Sequence, residues 1–171
     1  MRRPKGFSLI ELLIVVAIIL IIAAIAIPNL LRARISANEA SAAESIRTIR
    51  TGEAAYFSAY PIVGYANQLS NLGAGGASPC APAPAAACLI DDFLANAIPG
   101  TSGKSGYVFG ATGINSGGLN SGFVAGAIPV TYGSTGNNLF CSTEDGVLRS
   151  TTVSGGLPTN EAACLAYPTT R

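Results

Sequence analysis

Cysteine is the residue type of this chain best suited to covalent chemistry. Four are present, at Cys80, Cys88, Cys141 and Cys164, and their spacings match no CxxC metal or redox motif. An even number of cysteines in an exported chain indicates disulfides, and three pairings are possible. We favour the pairing of sequence neighbours, Cys80–Cys88 and Cys141–Cys164, because it closes short loops at little entropic cost. The alternative is four buried thiols in a reducing compartment.

Candidates for acid–base chemistry are few, because the chain contains no histidine, the commonest general acid–base and metal ligand. Adjacent carboxylates occur at Asp91-Asp92 and Glu144-Asp145, in a predicted helix and a predicted turn, where we expect them to be solvated. The tract 100–105 resembles a phosphate loop, but Ile98 replaces its first glycine and a strand follows it. We therefore expect no enzyme, no metal site and no cofactor.

The N-terminal segment combines three cations among the first six residues with an unbroken apolar run over residues 7–27. As a helix this run would be about 31 Å long, close to the thickness of a bilayer's hydrocarbon core. Only Ser8 and Glu11 are polar within it. The leading cations favour a cytoplasmic start, although Arg32 and Arg34 beyond the run argue mildly against that orientation.

Three interpretations of this segment compete. A cleaved signal peptide would explain Ala24-Ile25-Ala26, which fits the A-x-A cleavage pattern, but the apolar run is too long and carries a carboxylate. A plain membrane anchor leaves Glu11 unexplained, because a lone carboxylate in hydrocarbon is costly unless it is neutralised or paired. The third interpretation is a prepilin signal.

Residues 5–11, KGFSLIE, resemble the prepilin motif of the type IV pilin family, and the likeness continues as far as Leu30. The resemblance implies that a dedicated membrane peptidase cuts after Gly6 and methylates the new amine of Phe7. It also implies a filament in which Glu11 of one subunit meets the Phe7 amine of a neighbour and sets the axial register. Such pairing offsets the desolvation of both charges in a medium of low dielectric constant.

Pro28 follows the apolar run, and it removes a hydrogen bond from any helix that contains it. Resemblance to pilins implies a helix that continues with a kink near Pro28; the alternative is that the helix ends there. Residues 30–60 are amphipathic, with Arg47 and Arg50 facing solvent or neighbouring subunits, and Pro61 ends the pattern. The predicted apolar face has one irregular step, between Ile49 and Phe57, and consists of Leu31, Ile35, Ala42, Ile46, Ile49, Phe57 and Tyr60. A helix over 7–60 would be roughly 80 Å long. The rest of the chain is too small to cover it, so its first half must meet lipid or other subunits.

The remainder predicts an α+β fold, in which a small antiparallel sheet packs on the C-terminal half of the long helix. This is the ladle-like arrangement of pilins. Strands are predicted at 107–109, 122–132, 139–142 and 146–151, with Asp145-Gly146 as the turn of the last hairpin, and a short helix at 89–97. The predicted segments are a leader (1–6), an apolar helix (7–29), its amphipathic half (30–60), a connection (61–105), the sheet (106–152) and a C-terminal loop (153–171).

The resemblance implies a structural subunit of an extracellular type IV pilus-like filament. Its partners would be its own copies, the bacterial inner membrane that holds the precursor, the prepilin peptidase and methyltransferase, and the pilus assembly platform. Adhesion, twitching motility or DNA uptake would follow from that machinery. Nucleic acid is not an expected partner, because without the first six residues seven cations face nine anions. The alternative is a pseudopilin of a type II secretion system, which the four cysteines disfavour.

Replacing Gly6, as in Gly6→Ala, should block leader removal, because glycine leaves the backbone unhindered for a protease beside a membrane surface. The variant should then migrate with the uncut precursor on a denaturing gel. Ser8→Thr, which the motif accepts, is the control and should be cleaved normally. Trimming of the Gly6 variant to the wild-type size would contradict the prediction.

Overall fold

The computed structural model describes residues 7–169. The chain divides into two compact units, Met1–Arg34 and Ile35–Arg171, called here the N-terminal unit and the C-terminal unit. Gly6 and the rest of the predicted leader lie outside the described residues. The elements are α1 (Leu9–Ala59), a 3₁₀ turn (Leu69–Leu72), α2 (Asp92–Ala95), β1 (Tyr107–Ser116), β2 (Leu119–Pro129), β3 (Leu139–Thr143), β4 (Arg149–Thr151) and α3 (Glu161–Leu165).

Helix α1 has 51 residues and contains Pro28 in its interior. The prediction that the helix continues past Pro28 is confirmed, whereas the kink stays a prediction. Proline has no backbone N–H, so one carbonyl of the preceding turn loses its helical partner. On the next residue, the Asn29 side chain donates to the Ile25 carbonyl at 3.1 Å. This bond supplements the backbone ladder beside the proline.

The C-terminal half of α1 packs into the core of the C-terminal unit through one face. Ala42, Ile46, Ile49 and Tyr56 are fully buried there, at helical spacings of four, three and seven residues. The sequence pattern predicted Phe57 on this face. The structure buries Tyr56 instead and leaves Phe57 at the edge of the core, against Tyr65. The irregular step in the predicted pattern disappears with this correction.

The sheet is fully antiparallel, in the order β1-β2-β3-β4. Strands β1 and β2 form a long hairpin that ends at Gly117-Gly118, where both residues have positive φ. Two consecutive residues of positive φ suit the right-handed twist of a tight hairpin, and glycine adopts them without a steric penalty. The predicted strands at 107–109 and 122–132 missed this turn. The end of the first strand and both ends of the second were therefore placed wrongly.

The hairpin of β3 and β4 is organised by Asp145. Its carboxylate accepts from the Thr143 hydroxyl at 2.9 Å and from the Val147 N–H at 2.9 Å, and it pairs with Arg149 at 2.5 Å. The hydrogen bond from Arg149 is the main reason that the pKa of Asp145 falls to about 2. Because these bonds curl the chain over 144–148, β4 begins at Arg149 rather than at the predicted position 146.

The two faces of the sheet carry different coverings. Phe123 and Phe140 belong to the core that α1 closes, whereas their neighbours Val124 and Cys141 face the other side. There Cys141 is bonded to Cys164 of α3. The tail was predicted to have no pattern, yet α3 forms, with the Asn160 side chain accepting from the Ala163 N–H at 2.8 Å as its N-cap. Within the C-terminal unit the sheet therefore lies between α1 and the tail.

The connection between α1 and β1 is held by side chains. A disulfide joins Cys80 to Cys88, and the Tyr56 hydroxyl donates to the Pro84 carbonyl at 2.7 Å. Asp92 accepts from two backbone N–H groups of the preceding loop, at 2.6 and 3.2 Å, and Asp91 caps α2. Asp91 is exposed and Asp92 is half-buried, and both carboxylates also satisfy backbone donors, which the sequence did not predict.

Glu53 is the one fully buried carboxyl group in the described residues. Its Oε2 accepts from the Ala66 N–H at 2.8 Å, and its Oε1 has no hydrogen-bond partner in the described part of the chain. Burial raises the pKa of Glu53 to about 8, and the Ala66 hydrogen bond opposes the rise. The group is therefore mainly protonated at neutral pH while the chain is folded.

Stability should consequently fall as the pH rises from about 5 to about 8. Over this range the unfolded chain has already released the Glu53 proton, whereas the folded chain still holds it. The chain has no histidine, and burial raises the pKa of the neighbouring Tyr56 and Tyr65, so neither histidine nor these two tyrosines contribute to the slope.

Differential scanning calorimetry should show the melting temperature of the wild type falling by roughly 5 °C or more across this range. The neutral variant Glu53→Gln should show no such slope, whatever its absolute stability. A wild-type melting temperature that stays constant between pH 5 and 8 would refute the assignment.

Candidate assembly site

The N-terminal unit presents an uninterrupted apolar surface. Within residues 7–31 every large hydrophobic side chain is exposed, from Phe7 at 82 % to Val16 at 45 %. An 18-residue window of α1 reaches a mean hydropathy of 3.3 with none of it buried, so α1 is long and apolar enough to cross a membrane. Covering this many aliphatic side chains releases free energy on the order of tens of kcal/mol. A surface of this kind marks a contact with lipid or protein.

The helix carrying this surface begins with a cap in which Glu11 takes part. Because α1 starts at Leu9, Ser8 is its N-cap residue and Glu11 stands at the third helical position. The Glu11 Oε2 accepts from the Ser8 N–H at 2.9 Å, which is one half of a capping box. A carboxylate in the first turn also interacts favourably with the helix dipole.

Sequence reasoning gave Glu11 a role only between subunits and missed its role within the helix. The spacing Ser8-x-x-Glu11 was the available signal. The Oε1 of Glu11 makes no hydrogen bond in residues 7–169. One oxygen therefore holds the helix start, and the other is left for a further donor.

The remaining residues singled out from the sequence do not form a cluster with Glu11. Phe7 lies one position before the N-cap, and Pro28 lies farther along α1. The four cysteines all belong to the C-terminal unit. Over residues 7–169 no group of three or more His, Cys, Asp or Glu side chains is placed to hold a metal ion. The candidate site is thus an extended surface with one carboxylate near its start.

A helix with an uncovered apolar first half and a second half packed on an antiparallel sheet defines a class of protein that is anchored or assembled through that first half. Residues 1–27 match the family model described as the prokaryotic N-terminal methylation motif. Among curated proteins, the chain is 69 % identical over 39 residues to the type IV wide pilus major component PilA4 of Thermus thermophilus, covering 23 % of this chain and 30 % of that protein.

It is also 45 % identical over 56 residues to the type IV major pilin protein PilA of Myxococcus xanthus, covering 33 % of this chain and 26 % of that protein. The chain therefore matches less than a third of the length of either relative. No solved structure gives a significant match. The predicted resemblance is confirmed: part of this chain is similar to type IV pilins, and residues 1–27 match the methylation motif.

The apolar surface, rather than the C-terminal unit, should decide solubility. A chain that begins at Ile35 and is exported to an oxidising compartment should be a soluble monomer with both disulfides formed, because its core is closed by its own residues. The chain trimmed after Gly6 should stay with membranes or detergent micelles in an ultracentrifuge. If the trimmed chain proves to be a freely soluble monomer, the assignment of this surface is wrong.

Proposed function

We propose that this chain is a structural subunit of an extracellular type IV pilus-like filament. The observation that carries the proposal is the fully exposed apolar surface of residues 7–31. It is long enough to be stored in a membrane, and beyond Glu11 it offers neighbouring copies an almost wholly aliphatic face. Among identical helices the same side chains would pack against each other after leaving the lipid.

Processing would take place at the junction of Gly6 and Phe7. The motif match over residues 1–27 and the two pilin relatives support cleavage there by a prepilin peptidase and methylation of the Phe7 amine. Cleavage leaves the bulk of the chain anchored in the inner membrane, ready for the assembly platform. The product would then leave the membrane as part of the filament.

Glu11 would supply the register between subunits. In the single chain one carboxylate oxygen accepts from the Ser8 N–H, so the other can pair with the Phe7 amine of a neighbour without loss of the cap. In the apolar interior of a filament both charges would be costly alone and tolerable together. The pair would therefore favour one axial offset among the many that an aliphatic surface permits.

The N-terminal features would serve a pseudopilin of a type II secretion system equally well. Resemblance to this family also implies that major pseudopilins carry an acidic calcium-binding loop near the C-terminus, so the late acidic pair, Glu144-Asp145, bears on the choice. Glu144 accepts from the Phe123 N–H at 3.4 Å and Asp145 is paired with Arg149, so both carboxylates are used within the fold rather than gathered for a calcium ion. This arrangement and the two disulfides favour the pilus subunit.

Two substitutions at position 11 separate capping from register. Glu11→Gln keeps an oxygen that caps Ser8 but loses the charge, whereas Glu11→Ala loses both. We expect both variants to be cleaved, to remain in the membrane and to build few filaments, as counted by electron microscopy of sheared surface material. Abundant filaments from Glu11→Gln together with few from Glu11→Ala would show that Glu11 acts only as a cap.

The same preparation tests the function itself. Long sheared filaments that contain the wild-type chain are the expected result. Their absence, together with a secretion defect when the chain is deleted, would replace the pilus subunit by the pseudopilin.

A further inference from the structure

Glu161 differs from the other carboxylates of this chain. All nine lie within the described residues, and eight of them accept a hydrogen bond or form an ion pair. Those eight are Glu11, Glu39, Glu44, Glu53, Asp91, Asp92, Glu144 and Asp145. Glu161, the first residue of α3, is exposed and makes no such contact in the described part of the chain.

A positively charged residue on α1, Arg50, likewise lacks an ion-pair partner in the described residues. Arg50 is half-buried and donates to the Gly146 carbonyl at 2.5 Å, but it has no carboxylate partner within residues 7–169. The two acids of the adjacent β3–β4 turn, Glu144 and Asp145, are directed to Phe123 and Arg149 instead. Within the described residues Arg50 thus forms no ion pair, although the adjacent turn contains two carboxylates.

Arg50 and its neighbour Arg47 line one cavity of about 210 Å³, together with Ser142, Gly146 and Val147. Within residues 7–169 Arg47 pairs only with Glu44, at 3.0 Å, and the two side chains are 55 % and 68 % exposed. An ion pair that exposed contributes little. The cavity therefore offers several free guanidinium N–H donors, and a carboxylate is the group that fits such donors in pairs.

The Glu161 carboxylate of the same chain lies on the other side of the sheet from this cavity. Ile46 and Ile49, on either side of Arg47 along α1, belong to the core on the face of Phe140. Glu161 belongs to α3, which is bonded through Cys164 to Cys141 on the opposite face. The unpaired anion and the undercompensated cation are thus presented by opposite faces of one unit.

We propose that the Glu161 carboxylate of one copy enters the Arg47–Arg50 cavity of a neighbouring copy. The inference rests on the proposed function, and it names a contact between C-terminal units in addition to the packing of the N-terminal helices. Two different surfaces meet in this contact, so it is heterologous, and repetition of such a contact gives an open helical array when it does not close into a ring. The charge pattern of the C-terminal unit therefore favours the same kind of assembly as the apolar helix.

Charge exchange tests the pairing. Glu161→Lys should lower the yield of sheared filaments, relative to the membrane pool of subunit, roughly twofold to fivefold, as the loss of one partly exposed ion pair allows. Arg47→Glu combined with Glu161→Lys should restore the yield, whereas Arg34→Glu combined with Glu161→Lys should not. Arg47 is preferred to Arg50 for the exchange because its side chain is exposed and makes no hydrogen bond to the β3–β4 turn in the described structure.

Covalent trapping gives an independent measurement. Filaments of the double variant Arg47→Cys and Glu161→Cys should yield a ladder of disulfide-linked multimers under mild oxidation. Each single variant can give at most a linked dimer, and the matched pair Arg34→Cys and Glu161→Cys should give no ladder.

Two outcomes would overturn the pairing while leaving the filament intact. One is a filament yield equal to that of the wild type in both Glu161→Lys and the neutral variant Glu161→Gln, with filaments that resist salt as well as wild-type filaments do. The other is rescue or cross-linking through position 34 in place of position 47. Failure of the wild-type chain to form any filament would overturn the proposed function, and this pairing with it.

Discussion

The organisation of this protein depends on the apolar surface of residues 7–31, which cannot remain in water. The C-terminal unit closes its own core with α1 on one face of the sheet and the tail on the other. It leaves nothing to cover the first half of the helix, whose side chains stay exposed. The cover must therefore come from outside the described residues; under the proposed function it is lipid first and other copies later.

The few carboxylates of this chain mainly hold segments of its backbone in place. Glu11 starts the helix, Asp145 shapes a turn, Asp92 holds a loop, and Glu53 accepts from the backbone next to the end of α1. Each of these carboxylates satisfies backbone N–H groups that no regular element serves. Glu53 does so at the cost of burial, which ties the stability of the unit to pH. Under the proposed pairing, charges that are not used in this way, at Arg50 and Glu161, are available to neighbours.

The features that could be predicted from the sequence are those that depend on the local pattern of residues. The apolar run, the amphipathic half of α1 and the α+β class all follow from the type and period of residues. The hairpin at Gly117-Gly118 was also readable, but the strands around it are rich in small residues and do not alternate clearly. Strand β4 could not be placed, because its start depends on three bonds to Asp145 that form only in the folded turn. The burial of Glu53 was likewise hidden, since it depends on the distant Ala66.

Under the proposed function, the disulfide between Cys141 and Cys164 has a further consequence, because filaments outside the cell meet proteases. It encloses the β3–β4 turn, β4 and the segment leading to α3 in one covalent ring. A protease that cuts the backbone once anywhere inside this ring opens it but releases no fragment. The Cys80–Cys88 bridge protects the exposed proline- and alanine-rich loop in the same way. A subunit nicked at either place would keep all its parts, so a filament could lose a peptide bond in either loop without shedding mass.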